Sequence, residues 1–122
     1  YYGETLKLKF EGEYLKGKRN GKGKENDEKG TLIFEGEYLN GLKHGKGIEY
    51  DYLGWIMFEG DFLNGEINKG IGKTYYLNGA IGTITEYLNG KVWSKKEYDR
   101  FGDLLKFKKE KAPEKYIIMK MN

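Results

Sequence analysis

Three phrases of this sequence line up without adjustment: Phe10-Glu-Gly-Glu-Tyr-Leu-Lys-Gly17, Phe34-Glu-Gly-Glu-Tyr-Leu-Asn-Gly41 and Phe58-Glu-Gly-Asp-Phe-Leu-Asn-Gly65, with their phenylalanines 24 residues apart each time. A second phrase follows each one: Asn20-Gly-Lys-Gly23, His44-Gly-Lys-Gly47 and, after one extra residue near Ile67, Lys69-Gly-Ile-Gly72. A fourth copy survives in Glu86-Tyr-Leu-Asn-Gly90, where Thr83-Ile84-Thr85 replaces the opening Phe-Glu-Gly. A further glycine recurs at Gly30, Gly54, Gly79 and Gly102. A fixed period of this size means a stack of like units, each too small to bury a core alone.

Each unit reads as two short strands. In Leu32–Leu39, Phe34, Gly36 and Tyr38 share one face while Glu35 and Glu37 share the other. Asn40-Gly41 supplies two residues that tolerate positive φ, the signature of a tight hairpin turn. Gly45–Tyr50 makes the return strand, and Tyr52-Leu-Gly54 leads into the next unit. On the return strand Gly45 and Gly47 leave one face bare, and the rings of Phe34 and Tyr38 are expected to lie over them, since a ring covering a strand glycine restores the packing that glycine lacks. The expected fold is all-β: an elongated single antiparallel sheet of stacked hairpin repeats with a C-terminal capping segment. About ten strands at ~4.8 Å spacing give a twisted ribbon on the order of 45–50 Å long.

The units fall near residues 10–33, 34–57, 58–82 and 83–107, after a partial repeat at 1–9. Residues 108–122 form a basic cap or tail. Its Lys108-Lys109-Glu110-Lys111 leads through Pro113 to Tyr116-Ile-Ile-Met119, expected as a final strand over the open sheet edge, with a short amphipathic helix as the alternative.

Composition supports a folded chain built from rings. The 122 residues include 11 Tyr, 6 Phe and 2 Trp at a mean hydropathy of −0.80, and disordered chains are poor in aromatics. The net charge is +3, but residues 91–122 carry 10 basic and 5 acidic side chains against 12 and 14 in residues 1–90. Attraction to an acidic partner is therefore expected to concentrate near the C-terminus. With no cysteine, disulfide and thiolate chemistry are excluded, which suits a reducing compartment. The run at Tyr116–Met119 is too short to span a bilayer.

The order aromatic-x-Gly-x-aromatic, then Gly, then Gly-x-Gly resembles the MORN-repeat family (membrane occupation and recognition nexus) over roughly residues 1–107. The resemblance implies an elongated antiparallel sheet. It also implies a cytoplasmic, non-enzymatic scaffold, peripheral to a membrane or the cytoskeleton and often dimeric. Binding to anionic phospholipid has been proposed for some members, and a related bacterial family is associated with toxin neutralisation. The pattern departs from the family at the insertion near Ile67, at Thr85 and around Trp93–Lys96.

Catalytic chemistry has little material. Ser94 is the only serine and His44 the only histidine, and two units of a one-dimensional stack separate them, so no triad forms. His44 holds the place of Asn20 and reads as a turn residue. One histidine and no cysteine cannot make a zinc site. Gly72-Lys73-Thr74 lacks the earlier glycine of a phosphate loop, because Ile67 stands there. The carboxylates Glu11, Glu13, Glu35, Glu37, Glu59 and Asp61 form an ordered outer-face series that keeps the ribbon soluble; a weak cation site is the lesser alternative. No catalytic residue, cofactor or metal is assigned.

The leading expectation is an interaction scaffold whose aromatic-lined concave face grips a protein partner or a second copy of itself. Its candidate contacts are Tyr14, Tyr38, Phe62 and Tyr87, which could instead simply pack on glycines. The rival is an anionic membrane surface touched by Lys18, Arg19, Lys22, Lys43, Lys46, Lys69 and Lys73, read as a positive row along one long edge. Acidic residues interleave with these, which disfavours nucleic acid. A third reading is the accessory arm of a larger enzyme, or an antitoxin-like neutralising protein.

Overall fold

In the computed structural model, residues 9–110 are described; the expected tail of an earlier repeat at residues 1–8 and the capping segment at 111–122 lie outside them. The described chain is one open antiparallel sheet of nine strands in sequence order. These are β1 (Lys9–Leu15), β2 (Lys18–Asn26), β3 (Leu32–Leu39), β4 (Leu42–Tyr50), β5 (Ile56–Leu63), β6 (Glu66–Tyr75), β7 (Ile81–Leu88), β8 (Lys91–Tyr98) and β9 (Leu104–Lys109). Eight spacings of ~4.8 Å make the described ribbon ~38 Å long. The first two residues of the basic tail, Lys108 and Lys109, belong to β9.

Two kinds of turn alternate. At the short turns, Lys16-Gly17, Asn40-Gly41, Asn64-Gly65 and Asn89-Gly90 all have positive φ (Asn40 at 52°, Gly41 at 89°), the backbone that a two-residue hairpin needs to match strand twist. These turns also tie neighbouring units together: the amides of Gly41, Gly65 and Gly90 donate to the carbonyls of Arg19, Lys43 and Asn68. In the long turns an aspartate organises the loop. Oδ1 of Asp27 accepts from the amides of Lys29 and Thr31, Asp51 serves Leu53 and Trp55, and Asp99 serves Phe101 and Asp103. In the third unit Tyr76 replaces the aspartate, and Asn78 Oδ1 takes over by accepting from Ala80.

The core is a single stripe on one face. Phe34, Tyr38, Phe58 and Phe62 are buried, with Phe10, Ile67 and Tyr87 packed against them. The rings meet edge to face, with centroids 5.1 Å apart for Phe10–Tyr38 and 5.3 Å for Phe34–Phe62 and Phe58–Phe62. This is the favoured arrangement of ring quadrupoles. The stripe sits low because glycines face each other beneath it: Gly12 opposes Gly23, Gly36 opposes Gly47 and Gly60 opposes Gly70.

The ring seating differs in detail from the sequence expectation. Phe34 covers Gly47, but Tyr38 covers Gly23 of the preceding unit, while Phe62 covers Gly47 and Tyr87 covers Gly72. Each glycine thus receives the ring of its own hairpin or the next one, and this interlocks the units. Gly45 lies under no ring. It sits at φ 94° beside the Glu37 side chain, inside a bulge.

Candidate interaction surface

The bulge follows from a mismatch in length. Between the Gly36–Gly47 and Tyr38–Lys43 pairs, β3 spends one residue and β4 spends three. The excess is absorbed at Gly45, and the Lys46 amide that leaves the ladder donates to Glu37 Oε1 at 2.8 Å. The first unit repeats this with Gly21, Lys22 and Glu13, also at 2.8 Å. Glu13 and Glu37 therefore act as acceptors for displaced backbone. The third unit differs: Asp61 pairs directly with Lys69, and Gly60 opposes the first glycine of Gly70-Ile-Gly72. The insertion near Ile67 shifts the register so that Gly72 faces Phe58, where Glu25 and Glu49 face Phe10 and Phe34.

That shift changes what caps the rings. Arg19 lies over Phe10 at 4.2 Å and Lys43 over Phe34 at 4.2 Å. Each cation is held by a carboxylate on the same face, Arg19 by Glu25 at 3.0 Å and Lys43 by Glu49 at 3.4 Å. The equivalent residues in the next two units, Ile67 and Val92, are aliphatic. Glu25 is only 6% exposed and also accepts the Tyr38 hydroxyl at 2.5 Å. A buried carboxylate needs such partners. Burial first, then the bond to Glu25, pushes the Tyr38 phenol well above its ordinary range.

The opposite face is an alternating ladder. Glu11, Lys24 and Glu35 pair across successive strands, followed by Ile48, Glu59 and Ile71. One row away, Lys22 pairs with Glu37, and Lys46 with Asp61, the latter at 3.6 Å. The two rows border an open trench of about 700 Å³ floored by the glycine backbone. Tyr50 reaches onto this face and donates to Glu35 at 2.5 Å, and that bond, with a smaller contribution from burial, raises its pKa to about 12.

The candidate residues separate accordingly. Tyr38 and Phe62 are each 4% exposed and belong to the stripe. Tyr87 is half-buried against Phe58, and Tyr14, at the end of the stripe, is 60% exposed. The seven basic residues do not form one row. Arg19 and Lys43 lie on the ring face; Lys22, Lys46, Lys69 and Lys73 lie on the charged face; Lys18 stands opposite Leu15 at the short-turn edge. His44 takes the turn role of Asn20: its Nδ1 accepts the Asn64 amide at 3.4 Å, as Asn20 Oδ1 accepts the Asn40 amide at 3.3 Å. Among the described residues no group of His, Cys, Asp and Glu is placed to hold a metal, and no helix is long and apolar enough to cross a membrane.

Two features escape sequence reasoning. Glu25 and Glu49, which the repeat pattern does not single out, sit on the ring face opposite Phe10 and Phe34, and Glu13 and Glu37, read as part of a solubilising series, bind displaced backbone amides. The co-occurrence of Glu→Asp at Asp61 with the insertion near Ile67 was the available signal for the second.

Compared with known protein families, residues 10–32 and 34–52 each match the MORN repeat. The comparison with curated proteins returned no match. The register of β5–β8 extends the same hairpin pattern beyond the matched residues.

Proposed function

We propose that this chain, a MORN-repeat protein, is a non-enzymatic scaffold that holds a protein partner or a second copy of itself. MORN repeats are generally protein- or membrane-interaction modules and a non-enzymatic repeat type. The observation that carries the reading is the imbalance of the single layer. Among the described residues five large hydrophobic side chains are buried and sixteen are exposed. Soluble monomers scatter apolar side chains over their surface, but here they recur at fixed positions of the repeat, as an interaction surface would. Of the candidate ring contacts, Tyr14 is open to a partner, while Tyr38 and Phe62 support the surface from within.

The test is sedimentation and cross-linking of the full chain, alone and with cell extract, at low and high salt. A stoichiometric complex that survives high salt supports the scaffold. A chain that stays monomeric and partner-free at every salt concentration contradicts it. The anionic-membrane reading draws on exposed Lys18, Lys22 and Lys46, whose charge is screened as salt rises. Binding confined to anionic vesicles and abolished by salt would put that reading in front.

A further inference from the structure

The leucine that follows each second ring takes no part in the stripe. Leu15, Leu39 and Leu63 end β1, β3 and β5 one residue beyond Tyr14, Tyr38 and Phe62, so they project from the charged face, and Leu42 stands opposite Leu39. They are 57%, 44% and 49% exposed, with Leu42 at 48%, whereas Leu88, in the same position of the fourth unit, is 8% exposed. The position therefore tolerates burial, and in three units it is left open.

We infer that this row seats an α-helix of a partner protein lying across the strands, with leucine-like side chains at heptad spacing and acidic and basic side chains alternating at successive turns. The inference rests on the scaffold reading above and names the surface and the partner's chemistry. Two repeat distances and a charge pattern carry it. Successive leucines are one hairpin apart, ~9.6 Å, and a heptad of helix advances ~10.5 Å. One strand spacing, ~4.8 Å, likewise approximates one helical turn, ~5.4 Å. Beside the leucines on the same face, Lys22, Glu37, Lys46, Asp61 and Lys69 change sign at every strand. A helix crossing them meets one charge per turn and is complementary when its own charges alternate in the same rhythm. From Leu15 to Leu63 is four strand spacings, ~19 Å, which matches about 13 residues of helix. A second copy supplies no such element among the described residues, which contain strands only.

The probe is a synthetic three-heptad peptide carrying leucine at one heptad position with Glu and Lys alternating beside it. A control peptide of the same composition has its leucines moved out of register. In calorimetric titration of the full chain, the heptad peptide binds at least about tenfold more tightly than the control. Leu39→Gln combined with Leu63→Gln removes that difference while keeping the wild-type unfolding midpoint, and Leu15→Gln, at the most exposed position, weakens it alone should the pair disturb folding. Phe101→Ser, on the long-turn edge, binds as wild type. Equal affinity for the two peptides, no binding, or binding indifferent to the leucine substitutions overturns the proposal, as does binding that needs lipid vesicles and ignores register. If the peptides fail while the chain still forms a salt-resistant protein complex, the helix seat alone falls. If both fail, the scaffold reading falls with it.

Discussion

Strands β1–β6 and strands β7–β9 continue one meander through the same two kinds of turn, yet they are held together differently. In the first six, glycine opposes glycine at all five strand junctions and phenylalanine rings descend onto the bare backbone. In the last three, Thr83 and Thr85 stand where the phenylalanine and its glycine would be, and Thr85 opposes Gly72 and Lys95. The ring stripe ends at Tyr87 of β7, which packs on Phe58 and Gly72. Cross-strand side-chain pairs take over: Thr74 and Thr83 share a hydroxyl hydrogen bond at 2.7 Å, Lys96 lies over Phe107 at 5.3 Å, and Lys109 over Trp93 at 4.9 Å. Lys95 even faces Lys108 directly, an unfavourable pairing of like charges. Every residue of β9 is exposed. Glycine in this sheet is thus a packing residue, and it stabilises only where a ring covers it.

Substitutions at matched positions break or sharpen this contrast. The largest difference is expected between Phe34→Ala and Phe107→Ala. Removing the fully buried ring of Phe34 costs about 3–5 kcal/mol, whereas removing Phe107, 51% exposed, costs less than about 1 kcal/mol; urea unfolding of the two variants measures both. Next comes the glycine itself. A methyl at Gly47 would stand 2.7 Å from the Phe34 ring and 3.0 Å from Phe62, so Gly47→Ala destabilises by about 1–3 kcal/mol. The reverse change in the other region, Thr85→Gly, gains nothing and costs about 0.5–1 kcal/mol, because no ring fills the space.

Alkaline pH tests the hydroxyls that the regular region buries. The phenols of Tyr38 and Tyr50 are raised in the folded state, the latter to about 12, so between their unfolded value near 10 and that range the native chain holds more protons than the unfolded one. Stability must then fall as pH rises above about 10. Tyr38→Phe flattens that slope and, by leaving Glu25 with one partner fewer, costs about 1–2 kcal/mol at neutral pH. Unfolding midpoints measured from pH 8 to 11.5 give both quantities, and an unchanged slope in the variant would refute the assignment. The smallest contrast lies at the bulge. Glu37→Gln weakens the bond to the Lys46 amide and costs about 1 kcal/mol, while Asp61→Asn, where no bulge bond exists, stays within about 0.5 kcal/mol.

Much of this architecture is legible in the residues because a repeat states each rule several times. The 24-residue spacing, the Asn-Gly pairs and the alternation in Leu32–Leu39 lead directly to the hairpins and the single sheet. What alternation could not resolve lies past the bulges. Gly45 and Gly47 have the same parity, but two surplus residues turn Gly45 toward Glu37 and leave Gly47 alone under the rings. The row of basic residues dissolves for a similar reason: Lys18 and Arg19 are sequence neighbours, and neighbours on a strand point to opposite faces. Arg19 then finds Phe10 and Glu25, while Lys18 is left at the leucine edge. The pairing of Tyr38 with Glu25, thirteen residues apart, depends on register and could not be read from either residue.

Hydrogen exchange of the backbone amides in the full chain tests the central claim that rings seated on glycines hold this sheet together. The account predicts that amides of β3, β4 and β5 exchange only through global unfolding, while those of β8 and β9 exchange through local opening at markedly lower free energy. Equal protection along the ribbon, or a maximum in β8 and β9, would contradict it.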